Sequence, residues 1–226
     1  MNTRRLPSSP LAELDPEFEK VALDTGGLTF DLTGTSNREK LLQNITQDLC
    51  RSQLGLAFRM HVTAAKMHGI AYADLLAAIR FIAPYAGYPA AADALARLKH
   101  VATEIGMGTS DLGEPPAGED KPLQSLEVAD DWMTTFLNSR IARAWSEDRL
   151  STREKAIIAI TCDVSQQTLG ESFGVHVKLA LDGGISKDQV RDVVRFCAEH
   201  SLARAVAALE ELEAVLDAYS DDGTRQ

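Results

Sequence analysis

Residues 36–70 read SNREKLLQNITQDLCRSQLGLAFRMHVTAAKMHGI, and residues 151–185 read STREKAIIAITCDVSQQTLGESFGVHVKLALDGGI. A shift of 115 positions lays one on the other without a gap. Ser36, Arg38, Glu39, Lys40, Ile45, Thr46 and Asp48 meet Ser151, Arg153, Glu154, Lys155, Ile160, Thr161 and Asp163. Phe58, His61, Val62, Ala65 and Gly69 meet Phe173, His176, Val177, Ala180 and Gly184. The match continues through Arg80–Arg195 and Phe81–Phe196, and reaches 20 identities over the 57 positions from 36 to 92. Solenoid units run roughly 20–50 residues, so a period this long marks two copies of one larger module. Any site the module carries therefore occurs twice, or has been lost from one copy.

Each stretch opens on a capping box, Ser36-Asn37-Arg38-Glu39 and Ser151-Thr152-Arg153-Glu154, which starts a helix. These helices are predicted to end near Leu49 and Val164. A second pair is predicted from Leu54 and Leu169 to Gly69 and Gly184, where glycine suits a left-handed C-terminal residue. A third pair runs from Tyr72 to Ala86 and from Lys187 to Ser201, and a fourth from Pro89 to Ile105 and from Leu202 to Tyr219. Before the repeat, a helix beginning at Asp15-Pro16 is expected within Leu11–Asp24, broken by Gly26-Gly27. Its counterpart is expected from about Glu127 to Trp145. Alternating strand patterns are absent. The fold class read from the sequence is all-α, with copies at 11–105 and 123–219 joined by an exposed linker, 106–122, rich in Gly, Pro and acidic residues.

The chain has 226 residues, 45% of them apolar and 25% charged, with a net charge of −10. That acidic balance argues against nucleic acid, which needs clustered Lys and Arg. No apolar run approaches the roughly 20 residues that span a bilayer. Met1 to Pro10 carries Arg4 and Arg5 with no apolar segment behind them, so it does not read as a signal peptide. It is expected to be a disordered tail, and the cytoplasm is the expected location. Cys50, Cys162 and Cys197 form no C-x-x-C and align with Ser165, Gln47 and Ile82, which suggests packed thiols rather than a disulfide framework.

The chemistry candidates lie on the second helix of each copy. Leu54, Phe58, His61, Val62 and Ala65 form one apolar stripe, as do Leu169, Phe173, His176, Val177 and Ala180. Each histidine points inward, either as a packed core residue or as a desolvated imidazole suited to proton transfer near neutral pH. Glu39 and Glu154 are candidates to orient these rings, although the capping boxes account for them equally well. Arg80 and Arg195, repeat-matched beside Phe81 and Phe196, can grip a carboxylate or form surface ion pairs. His61 and His68 share a face, but His68 meets Gly183 in the other copy, and no metal-ligand pattern stands nearby.

His61-Val62-x-Ala64-Ala65-x3-Gly69, followed by Tyr85-Ala86-Gly87-Tyr88-Pro89-Ala90, resembles the H-x-x-A-A-x3-G and Y-A-G-x-P-A motifs of the carboxymuconolactone decarboxylase family. The second copy is similar through Arg153-Glu154-Lys155 and His176 to Ile185, but has His200-Ser201-Leu202-Ala203-Arg204 in place of the Tyr85–Pro89 turn. The resemblance implies two chemistries. The alkylhydroperoxidase D branch places a C-x-x-C seven and four residues before the histidine; here those positions hold Leu54 and Ala57, and Leu169 and Ser172. The decarboxylase branch releases CO2 from an unsaturated lactone acid without a cofactor.

The expected function is therefore cofactor-independent decarboxylation, or related proton transfer, on a small unsaturated acid or lactone. His61 is the first candidate for general acid because its copy keeps the Tyr85 turn, and His176 is the second. Tyr85 is expected to line the pocket. The resemblance also implies a homo-oligomer, with a trimer favoured. Two alternatives stand beside this: a reductase working through a thiol at Cys50 or Cys162, and a non-catalytic binding or scaffold protein.

Overall fold

The computed structural model describes residues 10–113 and 128–223. The expected N-terminal tail and most of the expected linker lie outside them. The described residues are all-helical. The first copy supplies α1 (Pro16–Phe30), α2 (Asn37–Cys50), α3 (Leu56–Met67), α4 (Tyr72–Ala86) and α5 (Tyr88–Glu104). The second supplies α6 (Asp131–Trp145), α7 (Thr152–Gln166), α8 (Glu171–Asp182), α9 (Lys187–Phe196), a 3-10 turn (Cys197–Glu199) and α10 (Leu202–Gly223).

Both capping boxes form, with Glu39 and Glu154 returning to the backbone N–H of Ser36 and Ser151 at 2.7 and 2.8 Å. Gly69 and Gly184 take φ of +76° and +85° after α3 and α8. Several boundaries differ from the expectation, among them the start of α6, at Asp131 rather than near Glu127. Helix α1 runs through Gly26-Gly27 to Phe30. Its C-terminal turn docks on the 3-10 turn, where Thr29 Oγ1 donates to Glu199 Oε2 at 2.9 Å, and this packing offsets the roughly 1 kcal/mol that each helical glycine costs. Helix α9 stops at Phe196 because the chain tightens there, with His200 N and Ser201 N both donating to Cys197 O. Helix α10 continues past Tyr219 to Gly223.

The core is built on α2 and α7. Residues Glu39–Leu49 and Lys155–Ser165 are buried on every side, so neither helix is amphipathic in the usual sense. The two run side by side in one direction. Arg38 Nε meets Glu154 Oε1 and Arg153 Nε meets Glu39 Oε1, both at 2.6 Å, at their N-terminal ends. Gln43 Nε2 donates to Thr161 Oγ1 midway, and Gln166 Nε2 to Cys50 O at the far end. The reciprocal arginine–glutamate pairs fit a pseudo-two-fold axis along the helices. The buried ammonium groups tie in the preceding helices: Lys40 Nζ donates to Phe30 O at 2.6 Å, and Lys155 Nζ to Trp145 O at 2.8 Å. The repeated Arg-Glu-Lys triplet thus couples the copies, caps its own helix and anchors the helix before it.

The copies also exchange outer elements. Helix α1 packs on α9 and the 3-10 turn, while α6 packs on α4. Helix α4 reaches α7 as well. The end of α4, carrying Tyr85, therefore lies against the second copy's histidine helix.

Candidate active site

His176 is held through one ring nitrogen. Its Nδ1 lies 2.6 Å from Asp163 Oδ2 on α7. The other carboxylate oxygen, Oδ1, accepts from Thr168 Oγ1 at 2.7 Å and Ser172 Oγ at 3.1 Å. A carboxylate accepts and does not donate, so Nδ1 carries the proton and Nε2 is the free nitrogen of the neutral ring. Nε2 faces Tyr85 Oη at 3.5 Å. Trp145 Nε1 donates to that same oxygen at 2.9 Å, and the indole stacks on the imidazole, 6.4 Å between centroids and 16° between planes. A cavity of about 440 Å³ opens beside the ring. Leu137, Ile141, Val175 and Pro84 form much of its apolar wall; Asn138, Gln166, Thr168 and Ser172 supply neutral polar groups. Among the described residues, no Lys or Arg lines it. The volume suits a small organic molecule.

His61 has the matching aspartate, with Nδ1 at 2.6 Å from Asp48 Oδ2. The rest of its surroundings differ. The repeat counterpart of Tyr85 is His200, whose ring lies 5.6 Å from that of His61 and whose Nε2 pairs with Asn44 Oδ1 at 3.2 Å. The counterpart of Trp145 is Phe30, which packs edge-on against Phe196. Gln53 and Ala57 stand where Thr168 and Ser172 hold Asp163. Asp48 Oδ1 is buried without a hydrogen-bond partner among the described residues. Burial raises the Asp48 carboxyl above its ordinary range, opposed by the hydrogen bond from His61. Burial, with the charges of His61 and Arg51, pushes His200 down to about 3.

The glutamates do not reach the imidazoles. Glu39 is taken by Ser36 and Arg153, and Glu154 by Ser151 and Arg38. Their arginine partners sit at the helix N-termini, which draws the carboxylates away from the rings. The carboxylate at each histidine is instead Asp48 or Asp163. The signal was in the repeat, since each is a matched acidic residue inside a helix too buried to leave it unpaired. Nothing in the spacing pointed to Trp145, Thr168 or Ser172. Tyr85, from the copy expected to serve His61, stands at His176. Arg80 pairs with Glu147 at 2.9 Å, and Arg195 with Asp192 at 2.9 Å, and neither lines the His176 cavity. His68 caps α3, and His100 lies beside Glu104.

Cys162 lines the cavity, yet burial and the neighbouring Cys50 raise its thiol well above the ordinary range. Burial pushes Cys197 up to about 12. Neither thiol is poised as a nucleophile at neutral pH. Among the described residues, no group of three or more His, Cys, Asp and Glu side chains is arranged to hold a metal ion. No helix among them is long and apolar enough to cross a membrane.

No curated protein matches the chain. The sequence profile of the carboxymuconolactone decarboxylase family matches twice, over residues 16–100 and 130–214. Each match takes in one His–Asp pair and the helices that carry it, from α1 into α5 and from α6 into α10. The chain belongs to the carboxymuconolactone decarboxylase family, with two tandem copies of its module in one polypeptide.

Proposed function

We propose that this protein is a cofactor-independent lyase or isomerase that moves a proton at carbon of a small unsaturated lactone or carboxylic acid, and that His176 does so. One observation carries the reading: Asp163 holds His176 Nδ1 at 2.6 Å, which leaves Nε2 as the working nitrogen beside a cavity of about 440 Å³. The acid at His61 and the glutamate roles drawn from the sequence give way to this arrangement.

Two reactions use the same atom. In decarboxylation the bond from the substrate carbon to its carboxylate breaks, CO2 leaves, and the electron pair passes into the conjugated carbonyl. The resulting dienolate takes a proton on carbon from protonated Nε2, and water returns one to the ring. In isomerisation neutral Nε2 removes a proton from one carbon and returns it to another. The apolar wall favours loss of a charged group. Among the described residues the wall carries no Lys or Arg to hold a substrate carboxylate, which favours the second reaction, on a neutral lactone.

The test is a screen of unsaturated lactones and lactone acids, following CO2 release and deuterium uptake from D2O. His176→Gln should lower turnover by about 10²–10⁴, the usual contribution of a general acid–base group. Asp163→Asn should lose a large part of the same factor, because it releases the ring's tautomer. His61→Gln should leave turnover close to that of the parent. Full activity in His176→Gln, or its loss in His61→Gln alone, would place the chemistry elsewhere.

A further inference from the structure

Resting on the reading that His176 moves protons in its cavity, we infer that Tyr85 is a catalytic hydrogen-bond donor to the substrate oxygen that gains charge, and that Trp145 is the positioning residue that aims it. An indole N–H can only donate, and it does so to Tyr85 Oη at 2.9 Å. That bond occupies a lone pair of the phenol oxygen and leaves the hydroxyl's own proton to point elsewhere. Among the described residues it faces His176 Nε2 at 3.5 Å, the outer limit of a hydrogen bond. The hydroxyl is therefore not locked onto the ring and can turn to an oxygen bound in the cavity. When Nε2 is protonated it no longer accepts, and the hydroxyl must turn.

The side-by-side arrangement fits one substrate class. In an enolisable carbonyl compound the acidic carbon and the carbonyl oxygen are two bonds apart. A base and a donor that serve them must be neighbours, as Nε2 and Oη are. As Nε2 takes the proton from carbon, the electron pair moves through the C–C bond onto the carbonyl oxygen, and Tyr85 O–H meets the charge that forms there. Burial raises the Tyr85 phenol far above its ordinary range, so its proton stays on as a donor. A donor so placed contributes about 10²–10³ in rate. The phenol comes from α4 of the first copy and the base from α8 of the second, so the site needs both copies. At the equivalent positions of the other site, Phe30 has no donor and His200 is paired with Asn44.

Two probes test this on the full-length protein. The first is a β,γ-unsaturated γ-lactone in D2O, followed by NMR for deuterium uptake and double-bond shift. The second is 4-nitrophenol, whose phenolate mimics the enolate oxygen and is read by absorbance. Tyr85→Phe keeps the ring against Phe81 and His176, and should lower kcat for exchange by about 10²–10³ with KM little changed. It should also weaken nitrophenolate binding by about tenfold or more, the loss expected for a hydrogen bond to a charged group. Trp145→Phe, a second variant, should lose a smaller factor in both while keeping the pH limb that His176 sets. Wild-type kcat and nitrophenolate affinity in Tyr85→Phe, with exchange lost in His176→Gln, would overturn the donor role and leave the His176 reading standing. Exchange that survives His176→Gln would overturn that reading itself. A parent protein that neither exchanges the lactone nor binds nitrophenolate would overturn both.

Discussion

Two aspartates separate the fates of the two histidines. Asp163 has three hydrogen-bonding partners and sits at the polar end of a cavity. Asp48 has one ring to bind and one buried oxygen with no partner among the described residues. The neighbouring His200 makes that difference measurable. Its pKa falls from 6.5 to about 3 on folding. Between those values the unfolded chain takes up a proton that the folded chain refuses, so stability is full above about pH 6.5 and is lost as pH falls toward 3. Asp48 works the other way: burial raises its carboxyl, so the folded chain binds that proton more readily than the unfolded chain does. Melting curves between pH 7 and pH 4.5 should therefore fall less steeply for His200→Gln than for the parent. Parallel slopes would put the titrating groups elsewhere. At this scale the sequence placed both histidines inward, but it pointed to the wrong carboxylates. The capping glutamates lie closer to a recognisable motif, whereas Asp48 and Asp163 look unremarkable until their helix is known to be buried all round.

Helix ends were the most legible elements, because Ser, Glu and Gly act within a few residues of themselves. The capping boxes of α2 and α7 and the turns at Gly69 and Gly184 are local events. The passage of α1 through Gly26-Gly27 is not, since it depends on a docking surface contributed by the other copy. Two glycines test the distinction. A Cβ at Gly34, between α1 and α2, would lie 2.8 Å from Asp192 Cβ and 2.9 Å from Gln189 Cα on α9. Gly34 also donates to Asp192 Oδ2 and accepts from Arg153 Nη2. Gly34→Ala should cost about 1–3 kcal/mol, as overpacking does. Gly27→Ala meets nothing within 4 Å and should stabilise α1 by about 0.5–1 kcal/mol. Urea denaturation of both variants checks the pair; equal effects would mean that α9 yields to the added methyl group.

As a whole, the molecule is two modules folded through each other. The central pair α2 and α7, the crossed arginine–glutamate bridges and the placement of Tyr85 all depend on both copies. Residues 1–120 and 121–226 made as separate chains should co-purify when expressed together and recover lactone exchange, while neither should show it alone. Exchange by the second chain alone would remove Tyr85 from the site. The amino-acid sequence determined the helical class, the duplication, the helix termini and the inward histidines, because periodicity, capping and repetition are properties of short stretches read in order. Only the tertiary structure decided which carboxylate meets which imidazole, that a cavity opens beside His176 and which copy lends its tyrosine. Those pairings join residues 13 to more than 90 positions apart: the aspartates meet their histidines where neighbouring helices of one copy pack, and Tyr85 meets His176 only where the two copies pack on one another.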